Sequence, residues 1–182
     1  MIYFISGVNG VGKSSVMPFL KTLLSETGYA VVDFDSRGVP DGADRTWRVA
    51  EAAHWIDEGM EAANSGKQLV VCGFVKLQDF DDLSGSVRAQ IRILVLDADE
   101  ETIRKRLIGR YTKDGTFDED QKVIGKPVTE FIDGNVWYAK KMREESREDG
   151  LPVIDTSKLS PEEVARQVAV IISSEAGPAQ DA

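Results

Sequence analysis

The chain has 182 residues, 42% hydrophobic and 29% charged, with a formal net charge of −9 and a pI near 4.7. That length suits one compact domain with a sizeable core, and so acidic a surface repels a nucleic-acid backbone and an anionic membrane, so neither is expected as a partner. One cysteine (Cys72) and one histidine (His54) exclude an internal disulfide and a zinc cluster; with no membrane-length apolar run and no leader expected, a reducing cytoplasm is the anticipated compartment.

Short apolar runs recur at residues 2–5, 30–34, 69–72, 91–96 and 153–154, with helical stretches between them. Runs apolar on both faces indicate parallel strands covered by helices. The expectation is a three-layer, doubly wound α/β fold with five parallel strands, spanning residues 1–176 as a single domain. After the first run comes Gly-Val-Asn-Gly-Val-Gly-Lys-Ser, which matches G-x-x-x-x-G-K-[ST] with Gly7, Gly12, Lys13 and Ser14 in register. Between a strand and a helix, such a loop wraps a polyphosphate. Glycines let the backbone amides of Asn9, Gly10, Val11 and Gly12 close on the phosphates, and the helix start at Ser14 and Ser15 favours an anion. Lys13 supplies positive charge to the β/γ-phosphates, and the Ser14 hydroxyl is a ligand for Mg²⁺. A nucleoside triphosphate is therefore the expected ligand. The helix over 13–25 carries Val16, Phe19, Leu20, Leu23 and Leu24 as a core stripe, with a bend expected at Pro18.

The second strand ends in Asp33-Phe34-Asp35, and residues 36–44, with Gly38, Pro40 and Gly42, form a loop. A helix over 45–64 follows. Arg37, Arg45 and Arg48 surround this stretch, with Trp47, His54 and Trp55 along the helix. Arg45 and Arg48 are three apart on one face and could clamp an anion, Trp47 could stack on a ring, and Trp55 suits the core. The third strand runs into Cys72-Gly73-Phe74-Val75-Lys76, where Gly73 allows close approach of a substrate and Lys76 meets its charge. Cys72 reads as a small core residue. Residues 76–86 read as loop and short helix, and 98–109 as a helix with Ile103 and Leu107 inward. Residues 111–135 are the least regular stretch, with Val128, Phe131 and Ile132 as anchors. A helix resumes at 136–148. Ser160 caps the last helix, with Pro161 at its first position and Glu163 completing a capping box. Residues 177–182 read as a frayed tail.

The terminal phosphate loop, the length and the five-strand layout together resemble the small P-loop kinases, among them the adenylate, shikimate and gluconate kinase families. Three further matches add to this. Asp33-Phe34-Asp35 resembles the D-x-D element of shikimate kinases, which implies Asp35 as the base that takes the acceptor's proton; both carboxylates are expected at the substrate and Asp35 also at Mg²⁺, with Asp33 alternatively holding the ion indirectly. Cys72-Gly73-Phe74-Val75-Lys76 is similar to the Asp-Gly-Phe-Pro-Arg segment of adenylate kinases, but has Cys72 where that family has an acid. Arg106-Leu107-Ile108-Gly109-Arg110 resembles the R-L-x-x-R start of a kinase lid. That implies Arg106 on the adenine or phosphates, Arg110 on the transferring group, and a lid over about 110–135. Thr156, in Ile154-Asp155-Thr156-Ser157, falls where these families border the adenine.

The resemblance implies an ATP- and Mg²⁺-dependent kinase acting on a small-molecule acceptor bound over about 36–64. A hydroxyl acceptor is the expected one, because the D-x-D match is the cleaner feature, with two alternatives. A hydroxyl acceptor calls for a carboxylate such as Asp35, whereas a nucleoside monophosphate calls for arginines such as Arg37, Arg45 and Arg48. An acceptor-independent ATPase or nucleotide switch is the third, although the guanine-specifying N-K-x-D motif is absent.

Overall fold

The first strand, Ile2–Ser6 (β1), is buried at every position, the physical counterpart of its unbroken apolar run. In the computed structural model, which describes residues 1–113, 116–117 and 126–175, the chain continues through α1 (Lys13–Leu23), β2 (Tyr29–Asp33) and a 3-10 turn (Phe34–Arg37). Next come α2 (Arg45–Asn64), β3 (Gln68–Cys72), a second 3-10 turn (Leu77–Phe80), α3 (Gly85–Arg88) and β4 (Ile91–Asp97). Then follow α4 (Glu100–Tyr111), a small antiparallel hairpin of β5 (Thr112–Lys113) and β6 (Thr116–Phe117), α5 (Val128–Glu148), β7 (Val153–Asp155) and α6 (Pro161–Glu175).

Five strands form one parallel sheet in the order β2-β3-β1-β4-β7, so the fold is the expected α/β one. Ile2 of β1 stands opposite Leu69 on one side and Ile91 on the other. The chain crosses from one side of β1 to the other, and such a switch point opens a crevice at the carboxyl ends of the strands. That edge carries the loop after β1, Asp33 and Asp35 after β2, Gly73 after β3 and Thr156 after β7. Helix α1 packs on α6, α4 on α5, and α2 against β1 and β3. Among the described residues no helix is long and apolar enough to cross a membrane.

Several local readings are corrected. The α1 stripe is narrower than expected: Val16, Leu20 and Leu24 are buried, but Phe19 and Leu23 are exposed. The buried three recur every four residues and so form a single row, with Phe19 and Leu23 one row aside. Helix α1 includes Pro18. The later helix begins at Val128, eight residues before the expected start at 136. Pro127 precedes it, and Ile132, Ala139, Met142 and Ser146 form its buried face. That burial outweighs the cost of about 1 kcal/mol expected for a helical Gly134. The expected lid over 110–135 is therefore helical at both ends; its centre, like the tail at 177–182, lies outside the described residues. At the start of α6, Ser160 Oγ accepts from Glu163 N (3.3 Å) while Glu163 Oε2 accepts from Ser160 N (2.8 Å), the expected capping box.

Candidate active site

The loop between β1 and α1 is shaped by glycines, where a side chain would either clash or be strained. A Cβ on Gly7 would lie 2.4 Å from the Leu96 carbonyl oxygen. Gly12 has φ near +101° and caps α1 without a side-chain hydrogen bond. The amides of Ser15 and Val16 bond back to Gly12 O, at 3.0 and 3.1 Å. With no side chain covering the helix start, and Ser14 and Ser15 exposed there, the first turn is open to an anion. Lys13 Nζ lies within the loop, donating to Gly7 O (2.5 Å) and Val8 O (3.0 Å). Burial pulls its pKa down to about 8, against the opposing charge of Asp35, while Arg110 adds to the lowering. Lys13, Asp35 and Arg110 thus share one electrostatic neighbourhood.

Arg106 reaches the same loop from α4. Its Nη1 donates to Gly10 O (3.1 Å) and Thr156 Oγ1 (3.0 Å), and its Nη2 to Thr156 O (2.8 Å). Thr156 Oγ1 in turn donates to Val11 O (2.8 Å). These bonds join the loop, α4 and the end of β7. They frame a cavity of about 280 Å³ with a Gly12 and Ser15 floor, Arg106, Arg110 and Thr156 at the side, and an apolar wall of Leu159, Pro161 and Val164. A flat apolar ligand with a polyphosphate tail suits that lining.

Across the loop, Asp33 Oδ1 accepts from the Asp35 amide (2.9 Å), fixing the turn that presents Asp35. Burial raises the Asp35 carboxyl above its ordinary value; Asp33 adds to this and Lys13 opposes it. Asp35 lines a second cavity of about 270 Å³ with Asn9, Phe34, Trp47, Arg48, Phe74 and Phe131. Trp55 is buried and donates from Nε1 to Phe34 O (3.1 Å), the expected core role. Cys72 is buried too, and burial raises its thiol to about 12.

Other candidate residues have different partners from those expected. Arg48 makes two bonds to Asp79, 2.6 and 3.0 Å, while Arg45 donates to Gln78 O (2.9 Å) and lies 3.7 Å from Asp79. The two arginines share a face, but it meets a carboxylate of the protein itself. Arg37 reaches Glu51 at 3.4 Å. A Cβ on Gly73 would fall 2.1 Å from Phe34 Cβ, so Gly73 is required by the packing of Phe34. The Lys76 ammonium sits over the Tyr138 ring, 4.4 Å from its centre.

Sequence reasoning missed three participants. Asp79 is buried, also accepts from the Lys76 amide (2.8 Å), and organises the turn after β3. Asn135 Oδ1 accepts from the Asn9 amide in the loop between β1 and α1 (3.0 Å) and its Nδ2 donates to Phe131 O (2.8 Å). Glu51 is buried beside Arg37 and contributes to raising Asp35. Nothing local marks Asn135 or Glu51. For Asp79, its three-residue spacing from Lys76 at a turn was the available signal.

No family model matches the chain and no curated protein matches it. Solved structures do. A shikimate kinase from Acinetobacter baumannii in complex with shikimate aligns at 15% identity and a TM-score of 0.58, over 96% of this chain and 93% of its own. A gluconokinase from Sinorhizobium meliloti aligns at 19% identity and 0.54, over 96% and 92%. A thymidylate kinase from Candida albicans aligns at 13% identity and 0.52, over 96% and 92%. Similarity at this level of identity speaks to architecture, and on that ground the chain has the fold of the small P-loop kinases.

Proposed function

We propose that the chain is a kinase that transfers the γ-phosphoryl group of ATP to a hydroxyl group on a small molecule, with Mg²⁺. The observation that carries this reading is the position of Asp35, a carboxylate that lines a separate cavity yet lies in the electrostatic field of the phosphate-loop lysine. The adenosine would lie in the cavity beside Arg106 and Thr156, and its phosphates along the loop amides, Lys13 and the open first turn of α1. The acceptor hydroxyl would lie against Asp35. As its oxygen forms a bond to the γ-phosphorus, the bond from phosphorus to the bridging β–γ oxygen breaks and ADP leaves. The hydroxyl proton passes to the Asp35 carboxylate, whose raised pKa suits it to receive one. Lys13 and Arg110 meet the charge that spreads over the γ-oxygens.

The Ser14 hydroxyl and the Asp35 and Asp33 carboxylates are hard oxygen donors of the kind Mg²⁺ takes. Among the described residues there is no group of three or more His, Cys, Asp or Glu able to hold a metal. Mg²⁺ keeps several waters and binds through one or two protein oxygens plus phosphates. When bound, it would neutralise the β- and γ-oxygens.

A nucleoside monophosphate acceptor is the weaker reading, because Arg45 and Arg48 are both engaged by Asp79. An acceptor-independent ATPase would have no use for the cavity at Asp35. The test is ADP release with ATP and Mg²⁺, with and without a panel of hydroxyl compounds and a panel of monophosphates, with Lys13→Ala as blank. Stimulation by a hydroxyl compound is the expected result. Stimulation by monophosphates alone, or release indifferent to every acceptor, rejects the reading.

A further inference from the structure

The cavity at Asp35 adjoins another. The second, of about 430 Å³, runs along α5 past Gly134 to Trp137 and Tyr138, and Asn9, Phe74 and Phe131 line both. Six of the rings along this path come as edge-to-face pairs. Phe34 and Trp47 are 5.9 Å apart at 90°, Tyr111 and Phe131 5.7 Å at 83°, and Phe74 and Tyr138 5.4 Å at 75°. Each ring is held by its neighbour, so the wall is preformed and the ordering cost on binding a flat ligand is small.

The charges point the same way. Among the described residues along this path, the cation held by a buried carboxylate is Arg48. Arg48 is bonded twice to buried Asp79 and stacks on Phe74 at 5.3 Å, Lys76 sits over Tyr138, and Lys126 lies 3.5 Å from Glu130. An anionic acceptor could recruit Arg48 only by leaving Asp79 buried with a partner removed. Asp35, meanwhile, puts a carboxylate where the reacting group must lie.

From this, and resting on the kinase reading, we infer that the acceptor is a neutral alcohol carrying an aromatic or similarly flat ring. Its hydroxyl lies at Asp35, its ring among Trp47, Phe74 and Phe131, and any further substituent extends towards Tyr138. The specificity is set by stacking and by exclusion of negative charge, and Trp47 and Phe131 are specificity-determining residues.

The experiment uses the full chain with thymidine, adenosine and 4-hydroxyphenylethanol as neutral ring alcohols. Thymidine monophosphate, shikimate and gluconate serve as anions, and glycerol as a ringless alcohol. Binding is read by tryptophan fluorescence and by calorimetry, and transfer by acceptor-dependent ADP release. At least one ring alcohol should exceed every anion and glycerol about tenfold or more in kcat/KM. Trp47→Leu and, separately, Phe131→Leu should raise its KM about tenfold, the scale of one lost aromatic stacking contact. The KM for ATP should stay within about twofold in both, with melting curves showing folded protein. Preference for an anion or for glycerol overturns the inference while leaving a kinase. If no acceptor stimulates ADP release, the kinase reading fails, and what remains of the inference, a site for a neutral ring alcohol, is decided by binding. Ring alcohols that bind wild type and bind Trp47→Leu about tenfold more weakly sustain it, and no binding of any ring alcohol at about 1 mM ends it.

Discussion

Lys13 offers a direct test of the electrostatics, because its pKa is pulled from 10.5 to about 8 by burial. Only the protonated ammonium attracts phosphate. With a pKa near 8, about 90% of the free protein carries that charge at about pH 7 and only about 10% at about pH 9. The apparent dissociation constant for ATP should therefore rise close to tenfold over that interval. An ordinary lysine would still be about 97% protonated at the upper end and would show almost no change. The triphosphate contributes no trend of its own there, since a terminal phosphate with a second pKa of about 6 is already ionised. The assay is equilibrium titration with a fluorescent ATP analogue across the range, with Lys13→Met as the control that should lose the limb. Two variants fix the sign. Asp35 raises the Lys13 pKa and Arg110 lowers it, so Asp35→Asn should move the limb to lower pH and Arg110→Ala to higher pH. A flat titration in wild type, or shifts of the opposite sign, would refute the placement of Lys13, Asp35 and Arg110 around one point.

Other consequences can be checked separately. Asp35→Asn should lower kcat by roughly 10²–10⁴, the usual contribution of a general base, with ATP affinity near neutral pH changed by much less; an equal loss of both would remove Asp35 from the role of base. Because Asp35 must be ionised to accept a proton and its pKa is raised, the acid limb of activity should lie above the ordinary carboxylate value, rising with pH, and Asp35→Asn should abolish it. Gly73→Ala drives a methyl group into Phe34. The expected cost is about 1–3 kcal/mol in urea unfolding, the range for overpacking, with acceptor KM rising because Phe34 lines the cavity; an unchanged midpoint would count against that packing. Asp79→Ala leaves Arg48 partly buried without its carboxylate. Breaking such a pair costs roughly 3–5 kcal/mol, so a loss below about 1 kcal/mol would mean that the turn after β3 is held otherwise.

Some of this protein is written in its sequence and some is not, and range along the chain divides the two. Strands buried on both faces had to be continuous apolar runs, and all five lie within about a residue of where those runs fall. Helix α2 begins and ends at the residues expected, and the Ser160–Glu163 box is a contact over three positions. The loop after β1 stands out in the sequence because glycines, a lysine and a hydroxyl fall at fixed offsets within eight residues. Where a side chain's partner is distant in sequence, the pattern is silent. Arg48 and Asp79 are 31 positions apart, Asn9 and Asn135 126, and Arg106 and Thr156 50. The sequence marks Arg45 and Arg48 as two cations on one face, but only the docking of α2 on the turn after β3 determines that the face meets Asp79. Gly73 likewise reads as room for a substrate until Phe34 is seen to fill it. Local spacing determines which groups a segment can present; the packing of one segment on another decides which of those groups remain available to a ligand.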